Sequence, residues 1–122
     1  MLRRFHEGLG KNSVTCWGTG RARREFLYVD DFADACIFLM NTYSGAEPVN
    51  IGHGRDWSMG ELAALVASVT GYSGDIVWDA FKPEGTAQRL LDNRVLREFG
   101  WMPKTCLLDG LQRTYKDFLK HL

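Results

Sequence analysis

The sequence predicts an α/β fold in which short strands alternate with helices. Two observations support this class. Short runs rich in β-branched and aromatic residues recur along the chain, and amphipathic segments with helix caps lie between them. At 122 residues the chain has the length of one domain and can bury a modest apolar core. No repeat, low-complexity tract or linker divides it, so we expect residues 1–122 to form a single domain.

The first quarter of the chain is predicted to contain a helix end and two strands. Residues 1–7 have the pattern of a helix that closes at Gly8 and Gly10. Residues 14–17 and 25–29 are rich in β-branched or aromatic side chains and are expected to be strands. The turn at residues 18–24 leaves a hairpin and two separate edge strands as alternatives.

A long helix is predicted to follow, capped by Asp30 or Asp31 and running to about Thr42. Its predicted buried face comprises Phe32, Ala35, Cys36, Leu39 and Met40. Since Ile37 and Phe38 flank a narrow polar stripe, the helix should be covered on most of its circumference. If part of that cover is missing, marginal stability or dimerisation follows as a hypothesis.

The remaining elements continue the alternation of strand and helix. A strand is expected at residues 48–52, and Ser58 with Glu61 forms a capping box for a helix that ends at Gly71. Further elements are a strand at residues 75–79, a short helix at 93–99 and a final amphipathic helix at 108–122. The inward positions are expected to be Met59, Leu62, Leu65, Val66 and Val69 in the first of these helices, and Leu111, Tyr115, Phe118 and Leu119 in the last.

Composition narrows the possible partners. Fifteen Lys and Arg balance fifteen Asp and Glu, so no net charge favours nucleic acid or a membrane surface. Three widely spaced cysteines fit neither a disulfide framework nor a metal-binding pair and indicate a reducing cytoplasm. No apolar stretch is long enough for a signal peptide or a membrane span.

Two motifs of dehydrogenase chemistry are absent from the sequence. A dinucleotide fingerprint needs G-x-G-x-x-G, but Arg23 and Trp57 occupy the third glycine position after Gly18 and Gly52 respectively. No tyrosine is followed four residues later by the lysine of a Tyr-x-x-x-Lys pair. The histidines lack metal-ligand spacing. We therefore predict no catalytic, cofactor-binding or metal-binding residue.

Five residues keep a functional interpretation: Arg4, Trp17, Arg24, Glu84 and Arg89. Guanidinium groups suit a diphosphate because they offer paired donors and stay charged. The alternative is structural: Arg24 pairs with Asp30 or Asp31, Arg89 pairs with Asp92, and Trp17 belongs to the core.

Several ordered segments resemble the GDP-L-fucose synthase family of extended short-chain dehydrogenases, in its C-terminal portion. They are Arg3-Arg4-Phe5-His6, Trp17-Gly18-Thr19-Gly20, the run from Arg24 to Asp31, Val49-Asn50-Ile51-Gly52, Lys82-Pro83-Glu84-Gly85-Thr86, Leu90-Leu91-Asp92 and Phe99-Gly100-Trp101. The resemblance covers essentially the whole chain. The Arg24 to Asp31 block is shared more loosely with other sugar-nucleotide epimerases and dehydratases.

This resemblance implies a small substrate-binding domain that holds a GDP-sugar, without the N-terminal NADP-binding Rossmann domain. The family's enzyme epimerises a GDP-4-keto-6-deoxy sugar and then reduces the ketone with NADPH. Its catalytic residues lie upstream of the matched portion, so the chain alone is expected to be inactive. The resemblance places Arg4, Trp17, Arg24 and Glu84 at substrate-contacting positions, with Arg89 in place of a lysine near the diphosphate.

Two other functions remain open at this stage. The chain is either a non-enzymatic interaction module that forms a homodimer, or part of another sugar-nucleotide epimerase or dehydratase. In the first case the surface that meets the Rossmann domain in the family is used for self-association instead.

Overall fold

A computed structural model describes all 122 residues and contains five helices and five short strands. In chain order the elements are α1 (Leu2–Glu7), β1 (Ser13–Trp17), β2 (Arg23–Glu25), α2 (Val29–Thr42), β3 (Asp56–Ser58), α3 (Met59–Thr70), β4 (Asp75–Asp79), β5 (Gln88–Arg89), α4 (Arg94–Glu98) and α5 (Leu107–Lys120). The predicted α/β class is confirmed. None of the helices is long and apolar enough to cross a membrane.

The strands form two small sheets. β1 pairs in parallel with β4, from Ser13 opposite Asp75 to Trp17 opposite Asp79. In the second sheet β2 lies in the centre, antiparallel to β3 and parallel to β5. Of the two alternatives, the hairpin is wrong, because β1 and β2 belong to different sheets, and β2 is a central strand instead of an edge strand. The second strand also comes earlier than predicted, at residues 23–25, and residues 26–28 have no regular structure.

The larger core joins α1, β1 and α3. Its buried members are Phe5, Val14, Cys16, Leu62, Ala63, Val66 and Tyr72. The predicted capping box is confirmed: the Ser58 hydroxyl accepts a hydrogen bond from the Glu61 N–H, and the Glu61 carboxylate accepts one from the Ser58 N–H. Gly71 ends α3 in the left-handed conformation, as expected.

A smaller core holds α2. Ala35, Leu96 and Trp101 are its buried members, and Val49 and Ile51 pack against them. The predicted strand at residues 48–52 is wrong, since that segment has no ladder partner. Residues 48–52 contribute apolar side chains to the smaller core instead of backbone pairing to a sheet.

The start of α2 differs from its predicted cap. Tyr28 occupies the N-cap position without a side-chain hydrogen bond, and Asp30 and Asp31 both lie inside the first turn. Buried Asp31 instead accepts hydrogen bonds from the N–H groups of Lys104 and Thr105 at 3.0 and 2.8 Å and from the Thr105 hydroxyl at 3.1 Å. One carboxylate thus anchors the segment before α5 to the beginning of α2.

The predicted buried face of α2 is only partly correct. Ala35 is buried and Leu39 packs against the smaller core, but Phe32 is half exposed and Met40 is 82% exposed. The expectation that the helix is covered on most of its circumference is not met within this chain. A side chain of this size contributes about 1.5–3 kcal/mol when fully buried, so the open face forgoes several such contributions.

The inner faces of the other helices also shift slightly from prediction. In α3 the buried side chains are Leu62, Ala63, Val66 and Thr70, while Leu65 and Val69 are half buried. In α5 Leu111, Tyr115 and Phe118 are half buried as an inward stripe, but Leu119 is exposed. One turn of α5 therefore extends past the core that it covers.

Replacing Asp31 should destabilise the fold. Asp31→Ala leaves the buried Thr105 N–H and hydroxyl without their acceptor, and we expect a loss of about 3 kcal/mol in the free energy of unfolding. Urea denaturation followed by tryptophan fluorescence measures this change. Asp30→Ala, at the neighbouring exposed position, is the matched control and should change stability by less than about 1 kcal/mol. Equal effects of the two substitutions would contradict the anchoring role.

A second prediction concerns His53, whose Nδ1 atom is buried without a hydrogen-bond partner. Its ring packs against Trp57 with centroids 5.0 Å apart. Burial lowers the pKa of His53; Glu25 opposes the change, whereas Arg55 adds to it. The unfolded chain therefore binds the proton more readily than the folded one, and stability should fall as the pH drops through the ordinary histidine value of about 6.5.

Thermal melts between pH 7.5 and pH 5.5 check this expectation. The wild-type melting temperature should decrease over this range, and His53→Phe should remove part of the decrease because it has no proton to gain. His121→Gln, at an exposed position near the C-terminus, is the control and should keep the wild-type dependence. An unchanged slope in His53→Phe would show that another group is responsible.

Candidate functional site

The turn that leads from β1 to β2 is held by the Glu84 carboxylate. Thr19 donates to it from both its N–H, at 3.0 Å, and its hydroxyl, at 2.7 Å. The N–H groups of Arg21 and Ala22 donate to the same oxygen at 3.2 and 3.3 Å. These bonds, that of the Thr19 hydroxyl foremost, hold the pKa of Glu84 below its usual value. Glu84 therefore stays ionised and shapes the turn from a loop that is distant in sequence.

Glycine at position 20 allows this turn to lie close to the first sheet. Gly20 has φ of 77°, and a Cβ atom there would lie 2.8 Å from the Trp78 ring. Any larger residue would meet both a conformational and a steric obstacle. The chain can consequently leave β1 at Trp17 and enter the second sheet at Arg23.

Trp17 lies at the end of β1 with 57% of its surface exposed. The Lys82 ammonium is 5.8 Å from the centre of its ring. The structural alternative, that Trp17 belongs to the core, is therefore wrong. An exposed indole beside a cation is suited to contact a flat or charged ligand.

Arg24 and Arg89 are brought together by strand register. They are direct partners in the parallel pairing of β2 with β5, so their side chains share one face of the sheet. Both line an open groove of about 450 Å³ together with Glu25, Leu90 and Leu91. Two guanidinium groups thus lie at one concave surface, although their residues are 65 positions apart in the chain.

The alternative ion pairs for these arginines do not form. Arg24 donates to the backbone oxygens of Arg23 and Glu84, at 2.7 and 3.2 Å, and has no carboxylate partner. Asp31 is bound by Thr105, and Asp92 pairs with Arg94 at 2.7 Å instead of Arg89. Positive charge at the groove is therefore not neutralised by the acidic side chains that the sequence offered.

Arg24 also connects the groove to the Trp17 turn. Arg24 donates a hydrogen bond to the carbonyl oxygen of Glu84, and the carboxylate of the same residue holds Thr19. Four of the five predicted site residues are thus connected. Glu84 holds the turn that follows Trp17, Arg24 donates to the Glu84 carbonyl, and Arg89 is the strand partner of Arg24. Glu84 already uses its carboxylate on the turn, so its geometry favours a positioning role over direct ligand contact.

Arg4 is the predicted residue that does not line the groove. Its guanidinium donates to the Thr15 carbonyl at 2.9 Å, beside β1. Nearby Cys16 is buried, and this burial raises the pKa of its thiol against the opposing charge of Arg4. The structure therefore places exposed Arg4 beside β1, at a contact separate from the Arg24–Arg89 groove.

Three residues that sequence reasoning missed orient β2 and β5. Asp56 accepts hydrogen bonds from Arg23, at 2.9 Å, and from Gln88, which flank the two arginines of the groove. The Gln88 amide, followed by Arg23, holds the pKa of Asp56 below its usual value. The only signal in the sequence was that Arg23 and Gln88 adjoin Arg24 and Arg89. Nothing in the sequence indicated Asp56, because only the folded structure brings it to these two side chains.

No group of His, Cys, Asp and Glu side chains is arranged to hold a metal ion. His6 instead shares a hydrogen bond with the Tyr115 hydroxyl at 2.9 Å. Cys16, Cys36 and Cys106 are free thiols, buried, half buried and exposed respectively. The groups that the site offers to a ligand are therefore the guanidinium groups of Arg24 and Arg89, the Lys82 ammonium and the Trp17 indole.

Comparison with known proteins relates the chain to enzymes of nucleotide-sugar metabolism. Residues 1–52 match the model of the NAD dependent epimerase/dehydratase family. GDP-L-fucose synthase 1 of Arabidopsis thaliana is 50% identical over all of this chain, which covers 38% of that protein. GDP-L-fucose synthase of Escherichia coli K12 is 42% identical over 99% of the chain and 41% of that protein.

The chain is similar throughout to a C-terminal part of GDP-L-fucose synthases. The resemblance predicted from the motifs is thereby confirmed. A solved GDP-mannoheptose C4 reductase from Campylobacter jejuni, with NADP bound, superposes with a TM-score of 0.81 at 35% identity. That match covers 97% of this chain and 43% of the reductase. The chain thus spans about two fifths of the length of the GDP-L-fucose synthases and the reductase compared here.

Removing the Glu84 carboxylate should loosen the turn between the two sheets. In Glu84→Ala the N–H groups of Thr19, Arg21 and Ala22 lose their acceptor, and we expect their hydrogen exchange at pH 7 to accelerate at least about tenfold. Amide-resolved exchange measures this change. Glu98→Ala, an exposed position on α4, should leave the turn unchanged. Unaltered hydrogen exchange in Glu84→Ala would contradict the role of Glu84 in holding the turn.

Proposed function

We propose that residues 1–122 form the nucleotide-sugar-binding domain of a GDP-L-fucose synthase-like, NADP-dependent epimerase and reductase. The single observation that carries this proposal is the pairing of Arg24 with Arg89 across β2 and β5 at an open groove. Similarity over the whole chain to GDP-L-fucose synthases supports it. The ligand is a GDP-sugar.

The groove suits a diphosphate for a physical reason. Two guanidinium groups on one face offer several N–H donors, and neither forms an ion pair with a carboxylate, although Glu25 also lines the groove. Trp17 would contact a planar or sugar portion of the ligand, with Lys82 beside it. Glu84 would hold the turn that presents Trp17, and Arg4 would contribute from the side of β1.

NADP does not fit the residues present in this chain. Gly18 and Gly20 lead into β2, and Gly52 and Gly54 lead into β3, whereas a dinucleotide site needs glycines that open a helix. The sequence also offers no Tyr-x-x-x-Lys pair for proton transfer. We therefore propose that the chain by itself binds the nucleotide sugar without turning it over, and that another domain supplies NADP and catalysis.

A related enzyme is the second candidate. The 35% identity to a GDP-mannoheptose C4 reductase favours a reductase of another GDP-sugar within the same group. Both candidates require the same diphosphate contacts, so they differ in the sugar and share the role of Arg24 and Arg89.

Isothermal titration calorimetry with GDP and GDP-mannose tests the proposal. We expect weak binding that Arg24→Ala reduces about tenfold or more, because a hydrogen bond from a charged donor contributes about 1.5–3 kcal/mol. UDP-glucose tests base preference. Arg97→Ala, an exposed arginine on α4, is the matched control and should keep wild-type affinity.

Two results would count against this function. One is the absence of binding heat with either guanine nucleotide in a sample whose cooperative melt shows that it is folded. The other is equal affinity of wild type and Arg24→Ala. Turnover of a GDP-4-keto sugar by the isolated chain with NADPH would overturn the claim that the chain is inactive alone.

A further inference from the structure

The segment that carries Arg89 contributes no buried side chain to the fold. From Ala80 to Asp92 every residue is exposed except Glu84, which is half buried. The only regular structure in this segment is β5, a strand of two residues. No residue of the segment packs against either core. The position of Arg89 therefore depends on polar contacts.

Two carboxylates hold the segment, one on each side of Arg89. On the N-terminal side, Asp56 accepts a hydrogen bond from the side-chain amide of Gln88. On the C-terminal side, Glu25 accepts one from the Leu91 N–H at 3.3 Å. Asp56 and Glu25 are direct partners in the antiparallel pairing of β3 with β2. Both acceptors therefore belong to the same part of the second sheet.

Asp56 is the more firmly fixed of the two acceptors. It is 8% exposed, and its carboxylate also accepts a hydrogen bond from Nε of Arg23 at 2.9 Å. Its backbone carbonyl accepts a further bond from the same guanidinium at 3.2 Å. Since Arg23 lies on β2 and Gln88 on β5, one carboxylate on β3 joins all three strands of the sheet through side chains.

Strand geometry connects this contact to the groove. Successive side chains of a strand point to opposite faces of a sheet. Arg23 and Gln88 are partners across β2 and β5, and so are Arg24 and Arg89, so the two pairs lie on opposite faces. A contact that holds Gln88 on one face therefore sets the direction of Arg89 on the other.

Arg24 does not depend on this contact. Its guanidinium donates to the carbonyl oxygens of Arg23 and Glu84, and β2 is the central strand of the sheet. Glu84 in turn is held by its own bonds to the turn that begins at Thr19. Loss of the Asp56–Gln88 contact should thus displace Arg89 and leave Arg24 in place.

We propose that Asp56 is a positioning residue for the groove. Through Gln88 it holds β5 so that Arg89 faces a diphosphate beside Arg24. The inference rests on the proposed function for the identity of the ligand. It adds that the affinity of the groove depends on a buried carboxylate that lies outside the groove and does not contact the ligand.

Gln88→Ala tests this role without disturbing either core, because Gln88 is exposed and does not line the groove. GDP titrations followed by NMR chemical shifts measure weak affinities. We expect Arg89→Ala to weaken GDP binding about tenfold and Gln88→Ala about fivefold, because charge-assisted bonds to phosphate are lost in the first variant and misaligned in the second. Gln112→Ala, the same change at an exposed position of α5, is the matched control and should bind as wild type does.

Double variants separate positioning from a general loss of structure. In the Arg89→Ala background Gln88→Ala should have no further effect on GDP affinity, because the side chain that Gln88 orients is absent. In the Arg24→Ala background Gln88→Ala should weaken binding by the same factor as in wild type, since the two contacts are separate.

Hydrogen exchange reports on the contact without a ligand. The Arg23 N–H donates to the Ala87 carbonyl at 2.8 Å, directly before β5. In Gln88→Ala its exchange should accelerate at least about fivefold, because β5 is less firmly held. The Thr19 N–H, which donates to Glu84, should keep its wild-type rate.

Three results would overturn the proposal. One is equal GDP affinity of wild type and Gln88→Ala. Another is a loss from Gln88→Ala that is as large in the Arg89→Ala background as in wild type. The third is unchanged exchange of the Arg23 N–H in Gln88→Ala. A folded wild-type chain without GDP affinity would instead contradict the proposed function, and the exchange rate alone would then decide whether this contact holds β5.

Discussion

Glu84 contacts both the turn that follows the first sheet and a strand of the second sheet. Its carboxylate fixes the turn from Thr19 to Ala22, and its backbone carbonyl accepts from Arg24 in the second sheet. The exposed indole of Trp17 and the cationic groove are therefore placed relative to each other by a loop more than 50 residues away in the chain. An ionised acceptor is suited to this task because bonds to a charged partner are stronger than those between neutral groups.

Acidic and basic side chains differ in their partners in this fold. The acidic side chains that could pair with these arginines are already bonded: Asp31 to Thr105, Asp56 to Arg23 and Gln88, and Asp92 to Arg94. Glu25, which lines the groove, accepts hydrogen bonds from the N–H groups of Gly54 and Leu91. Arg24 and Arg89 are left facing the groove without such partners. Buried or ordered acidic groups thus stabilise the scaffold, while the cations stay available to a ligand. This division is the physical basis for assigning a binding role to a chain that lacks catalytic motifs.

The two sides of α2 have different environments. One side of this helix is anchored by Asp31 and the small core around Ala35. The other side is apolar and open, so its side chains lie in water in the isolated chain and contribute little to stability. The same helix begins at Val29, shortly after β2 ends at Glu25, so the open side of α2 and the groove belong to neighbouring segments of the chain.

Much of the local structure could be predicted from particular residues. Ser58, Glu61 and Gly71 determine the start and end of α3 because capping is a local interaction. The strands at residues 14–17 and 75–79 and the short helix α4 were predicted close to their observed bounds. The errors occurred where a nonlocal partner decides. Residues 48–52 have no strand partner, and Asp31 is an anchor for Thr105 and not a helix cap.

The sequence by itself determined the alternation of strands and helices, the two caps of α3, the absence of a dinucleotide fingerprint and the set of candidate cations. Each of these depends on residue type and short spacing, which are local properties. Only the tertiary structure decided that Arg24 and Arg89 share a groove, that Arg4 does not line it, and that Glu84 uses its carboxylate on a turn. These facts depend on strand register and on contacts between distant segments, which spacing along the chain does not encode.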